Sequence, residues 1–136
     1  MIAILIFAIS FFTLLQFFVS YCQAVIAESR CHEVSENTRE ICGLTAKAMR
    51  GDQFQRLLQL IGLCPEPGGD ANKIRAMAAY FEMLGLASKL FRLAAPRSAR
   101  WIEQERDGCS HVVAVALDRR IANNRMLMAQ HAAHSH

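Results

Sequence analysis

Three groups of side chains have the types and spacing that metal or redox chemistry would use. Glu103, Asp107 and His111 recur every four residues, which on a continuous helix puts two carboxylates and an imidazole on one face. Such a set offers hard oxygen ligands and one nitrogen. Gly108 interrupts that register, however, and exposed helices often carry the same residues for solubility. His131, His134 and His136 form a short His-rich tail. Histidines three apart on a helix share a transition metal in some sites, but an isolated terminal tract more often holds nothing. Cys31-His32 suggests haem, yet covalent attachment needs Cys-x-x-Cys-His, and that motif is absent. There is no Cys-x₂₋₄-Cys zinc pair, no glycine-rich phosphate loop and no nucleophile elbow. The expectation is therefore no catalytic set, no metal and no cofactor.

Charge limits the partners. The formal net charge is only +3. From Lys89 to Arg125 eight basic residues face four acidic ones, a mild bias that suits anionic headgroups or an acidic protein. Nucleic acid demands a denser patch with interleaved aromatics, so none is expected. Trp101, flanked by Arg97 and Arg100, offers a cation–π contact or an interface anchor, with plain core packing as the competing role.

The five cysteines are Cys22, Cys31, Cys42, Cys64 and Cys109. Cys22 lies in an apolar run, which leaves four for the polar part. Cys31 precedes one expected helix and Cys64 follows the next. In an antiparallel hairpin those ends meet, so Cys31–Cys64 with Cys42–Cys109 is a sensible pairing, one of three possible. Each bridge would stabilise a small core by roughly 2–4 kcal/mol. Buried free thiols are the alternative.

These residues must be positioned by elements that the chain divides sharply. Residues 1–27 carry no charge, and all 15 basic and 12 acidic residues follow them. Twenty apolar residues cross the hydrocarbon core, and only a helix satisfies its own backbone there. A transmembrane anchor is expected over 1–27. A cleaved signal peptide is the rival, with Val25-x-Ala27 and Cys22-x-Ala24 as weak cleavage sites. Against it, no Lys or Arg precedes the run, and the run is longer than the usual h-region of about 7–15 residues.

The anchor is two-sided. Thr13, Gln16, Ser20 and Gln23 fall within an arc of about 80° at helical spacing. Phe7, Phe11, Leu14, Leu15, Phe18 and Tyr21 centre on the opposite side. A polar stripe of this kind fits a helix that meets another membrane helix, so Thr13, Gln16, Ser20 and Gln23 are the expected partner contacts within the bilayer.

The remainder reads as helix throughout. Helical spacing runs over 34–50, and Gly51-Asp52 breaks it. A second helix carries Phe54, Leu57, Leu58 and Ile61 on one face before the loop CPEPGGD. Asp70 then caps a helix over 71–94 in which Glu82 and Lys89 are the only charges between Ala76 and Phe91, so burial on most sides is expected. Glu82 argues against a second membrane span. Pro96 ends that helix. The next runs 99–107, is interrupted or kinked at Asp107-Gly108 and continues over 110–129. The expected fold is all-α: one N-terminal transmembrane helix, then a bundle of about four helices over 28–129 and a frayed His-rich tail over 130–136. Phe81, Phe91 and Trp101 are possible partner contacts outside the membrane, with core packing as their competing role.

Sidedness is argued both ways. Arg30, Arg39 and Lys47 follow the anchor, which favours a cytoplasmic domain. Cysteine pairing and an uncleaved signal anchor favour the periplasmic or outer side, and that side is the expectation. The sequence therefore reads as a non-catalytic single-pass accessory subunit packed against larger integral-membrane subunits in the lipid bilayer. The alternative is a secreted, disulfide-stapled helical binding domain released by signal cleavage.

Overall fold

The computed structural model describes residues 1–34, 51–64, 69–91 and 96–134. Among these the chain forms four helices and no strand: α1 (Ile2–Arg30), α2 (Gly51–Leu63), α3 (Ala71–Phe91) and α4 (Pro96–His134). The helix expected over 34–50 lies outside the described residues, apart from its first residue.

Local chemistry sets the ends. No Gly or Pro occurs before residue 43, so nothing breaks α1 until Cys31. There the backbone N–H groups of Cys31 and His32 turn back onto the carbonyls of Glu28 and Ser29, and Arg30 complements the helix dipole in the last turn. Asp52 supplies the opposite charge in the first turn of α2. Gly69 adopts φ +94°, a left-handed conformation that side chains resist. It leads into Asp70, whose carbonyl accepts the Ile74 N–H at 3.0 Å as α3 begins. Pro96 opens α4, where its missing N–H costs nothing.

α4 is the spine, and α1, α2 and α3 all pack on it. Ile102, Cys109, Val113 and Leu117 form its buried stripe, met by Ile74, Met77, Tyr80, Phe81 and Leu84 of α3 and by Phe54, Leu57 and Ile61 of α2. Phe54 stacks on Phe81 with centroids 3.9 Å apart, and the Arg106 guanidinium lies 4.3 Å over the Phe81 ring. Pairwise contacts fix the directions. Phe18 meets Tyr80 edge-on at 6.2 Å, Ile26 faces Gly108, and His32 Nε2 lies 3.1 Å from Arg119. Ile74 of α3 shares a cavity with Val112 and Val115 of α4, whereas Phe81 meets Arg106, so α1 and α4 run parallel and α3 runs against both. α2 also follows α4, from Phe54 at Phe81 to Ile61, whose carbonyl accepts from buried Arg120 at 2.9 Å. Arg120 donates to the Cys64 carbonyl at 3.1 Å as well. One guanidinium thereby closes the carbonyl end of α2.

Several expectations change. α4 is continuous over 39 residues, so Gly108 does not interrupt it. A Cβ on Gly108 would lie 2.6 Å from Ile26 Cγ2, and the glycine lets α1 approach instead. The tail is helical to His134, with His131 and His134 each 3.1–3.2 Å from the carbonyl four residues back. α3 ends at Phe91. Its burial is confined to one face, and Leu86 and Leu90 stand 63% and 74% exposed.

Candidate functional site

The most distinctive arrangement is α1 itself, which changes environment halfway along its length. From Ile2 to Phe17 its large apolar side chains stand open, apart from half-buried Leu15, with Phe7, Phe12 and Phe17 each more than 70% exposed. From Phe18 onward one face sinks into the bundle. Phe18 and Val19 are half-buried, and Cys22, Val25, Ile26 and Ser29 are buried. Their spacing of three and four is the single stripe that a helix presents to its neighbours. Ser29 hides its polarity by donating its hydroxyl to the Ile26 carbonyl at 2.8 Å. The boundary expected after Ala27 therefore falls inside a helix that the apolar segment and the polar domain share.

The four polar residues of the stripe lie on the other face. Thr13, Gln16, Ser20 and Gln23 are all exposed. At 100° per residue their centre is about 140° from the buried stripe, so the bundle does not cover them. Thr13 satisfies itself by donating to the Ile9 carbonyl at 2.9 Å. The two glutamines have longer side chains, with donors and acceptors that extend beyond the helix backbone.

The other expected contacts divide. Phe81 is 3% exposed between Phe54 and Arg106, so it is core and its possible role as a contact is corrected. Phe91 and Trp101 are 46% and 45% exposed, and both belong to the surface. The cation–π contact made here is Arg106 over Phe81.

The cysteine pairing is not made among the described residues. Cys31 and Cys64 are free, the first exposed and the second half-buried, and Cys109 is free and fully buried. Cys42 lies outside the described residues. The hairpin argument needs the helix over 34–50, which beyond Val34 lies outside the described residues, while Cys31 itself stands at the end of α1. The chain beside it reaches Arg119, while Cys64 is held by Arg120, about 100° round α4. Burial pushes the Cys109 thiol up to about 12, with neighbouring Cys22 and Glu105 adding to the rise. Burial likewise raises the Tyr80 phenol, again helped by Glu105. Both groups are thus held neutral, the opposite of an activated nucleophile.

Glu103 and Asp107 are exposed and His111 is half-buried. No metal-holding group of three occurs among the described residues. A groove of about 410 Å³ opens between α3 and α4, lined by Phe81, Leu86 and Ile102 and edged by Glu82, Lys89, Glu103 and Arg106. Gln55 Nε2 bonds Glu82 Oε1 across it at 3.3 Å. Ser88 also lines it and donates its hydroxyl to the Gly85 carbonyl at 2.8 Å, and among the described residues no base is paired with that hydroxyl in the groove, which suits a surface contact better than chemistry.

No protein family, curated protein or solved structure matches this chain. α1 is long and apolar enough to cross a membrane, and its most apolar stretch is uncovered. Sequence reasoning missed its double use. The signal was present in Phe18, Val19, Cys22, Val25, Ile26 and Ser29, a stripe that outlasts the polar one.

Proposed function

We propose that this chain is a non-catalytic, single-pass membrane subunit whose work is to hold a larger integral-membrane partner. The observation that carries this reading is the continuity of α1. One helix supplies an uncovered apolar half and a wall of the bundle core. The bundle is thereby joined rigidly to the bilayer, and no flexible linker separates the two. The polar stripe of Thr13, Gln16, Ser20 and Gln23 faces away from the bundle, where a second membrane helix has room to pack. Hydrogen bonds across such interfaces contribute about 0.6–2 kcal/mol each.

The same continuity speaks against release as a secreted domain. Cleavage after Ala24 would remove Cys22, and cleavage after Ala27 would also remove Val25 and Ile26. The placement of the domain on the outer side loses its cysteine argument, since Cys31, Cys64 and Cys109 are free. It keeps only the signal-anchor argument.

The test is affinity purification of the full chain from native membranes in a mild detergent, with mass spectrometry of what accompanies it. A stoichiometric integral-membrane partner is expected, and Gln16→Leu should weaken its retention by about 3- to 30-fold, the equivalent of one hydrogen bond. Recovery of the chain alone, or retention indifferent to Gln16→Leu and Gln23→Leu together, contradicts the reading.

A further inference from the structure

The contacts of α1 also fix which end of the bundle faces the bilayer. Moving toward the uncovered end of α1, from His32 through Ile26 to Phe18, the partners run from Arg119 to Gly108 on α4 and on to Tyr80 of α3. The uncovered half of α1 therefore leaves the bundle at the end where α3 finishes and α4 begins. Trp101 lies seven residues before Gly108, about 10 Å further in that direction, and Leu86 and Lys89 share a groove with Ile102 and Glu103, which places them at the same end.

The side chains at this tip are unusual for a surface in water. Leu86, Leu90, Phe91 and Trp101 are 63%, 74%, 46% and 45% exposed, and Lys89 and Arg100 stand exposed among them. Tryptophan beside basic residues is the composition of the membrane–water interface, where the ring sits at headgroup depth and the cations meet lipid phosphates. Glu82, Glu103 and Arg106 lie behind the tip. They stop it in the headgroup zone, since charges of this kind are costly in the hydrocarbon.

We propose that the α3–α4 tip is a second membrane contact, resting on an anionic lipid surface through Leu86, Leu90, Phe91 and Trp101 with Lys89 and Arg100 on phosphate. This rests on the reading of α1 as an anchor. It turns a single-point attachment into a two-point one, which fixes the tilt of the bundle and the direction in which the polar stripe of α1 points.

Trp101 is the only tryptophan in the chain, so its fluorescence reports the tip alone. The full chain would be reconstituted into phosphatidylcholine vesicles with and without phosphatidylglycerol. The acyl chains would carry bromine near either the glycerol or the methyl end. The proposal expects blue-shifted Trp101 emission in phosphatidylglycerol vesicles, quenched most by the shallow bromines. Lys89→Gln with Arg100→Gln should shift the equilibrium toward a lifted tip by about 25-fold, about fivefold per basic residue. Emission unquenched at either depth, in chain that stays with the vesicles through an alkaline carbonate wash, overturns the proposal and leaves the anchor standing. Release by carbonate defeats the anchor reading and the tip with it. Trp101 unquenched by bromolipid yet shielded from iodide in native membranes makes this face a protein contact and also overturns it.

Discussion

Replacing Gly108 with alanine isolates the contact that makes α1 part of the bundle. In an isolated helix the change should stabilise by about 1 kcal/mol, because glycine is the weaker helix former. Here the new Cβ would meet Ile26 Cγ2 at 2.6 Å, with Cδ1 at 3.4 Å and Cγ1 at 3.5 Å. Cγ2 is bonded directly to the Ile26 Cβ, and a β-branched side chain in a helix has one strongly preferred rotamer. It cannot swing aside, so the backbones must part. Overpacking of this kind costs about 1–3 kcal/mol, which outweighs the helix gain and leaves a net loss of about 0–2 kcal/mol. Ile26→Ala removes all three contacting atoms, at about 2–5 kcal/mol for the cavity. In that background Gly108→Ala should reverse sign and stabilise by about 1 kcal/mol. The four proteins of the cycle would be unfolded by denaturant in detergent and followed by far-ultraviolet circular dichroism. A coupling of about 1–3 kcal/mol is expected. If Gly108→Ala stabilises equally in both backgrounds, α1 does not touch α4 at this point and the shared-core account is refuted.

Three further outcomes are expected. Arg120→Met should destabilise the bundle by about 2–4 kcal/mol in denaturant melts, because the Ile61 and Cys64 carbonyls lose their charged donor. Phe54→Ala should cost about 3–5 kcal/mol by the same measurement, because it leaves Phe81 without its stacked partner. Stability should also fall with rising pH between about 9 and 12. Folded Cys109 keeps its proton to about 12, whereas the unfolded thiol loses it from its ordinary value of 9.0. The unfolded state therefore binds fewer protons in that window, and the slope is about −1.4 kcal/mol per pH unit for one such group. Below that window the contribution is complete and flat. Cys109→Ala should remove its share of the slope, and an unchanged slope would show that the thiol is not buried.

The sequence and the structure agree where one periodicity has one meaning. Phe54, Leu57 and Ile61 mark the buried face of α2, and Gly69-Asp70 marks the start of α3. Thr13, Gln16, Ser20 and Gln23 lie together on the face away from the bundle. The mismatches have physical causes. Cys22, Val25 and Ile26 look alike whether they meet lipid or a protein core, because both are apolar surroundings. That is why the anchor could be outlined in the sequence while its second role could not. Gly108 reads as a helix breaker until the opposing residue is known. Nothing near position 108 points to Ile26, which lies on another helix. The Cys31–Cys64 pairing depends on a helix over 34–50 that beyond its first residue lies outside the described residues, and both thiols are free, with Cys31 at the end of α1. Trp101 and Phe81 both read as core or contact in the sequence. Their separation depends on what stacks beside them, and Phe54 and Arg106 settle it for Phe81 alone.

The central claim is that one helix serves as both membrane anchor and bundle wall, and its most direct test is the intact mass of the chain recovered from native membranes after an alkaline wash. The account predicts the mass of the chain with residues 1–27 present, 15.2 kDa for the sequence above, retained in the membrane fraction. A soluble product lacking its first 24–27 residues, yet folded and helical, would contradict it, since Cys22 and, at the later site, Val25 and Ile26 would then be missing from a core that stands without them.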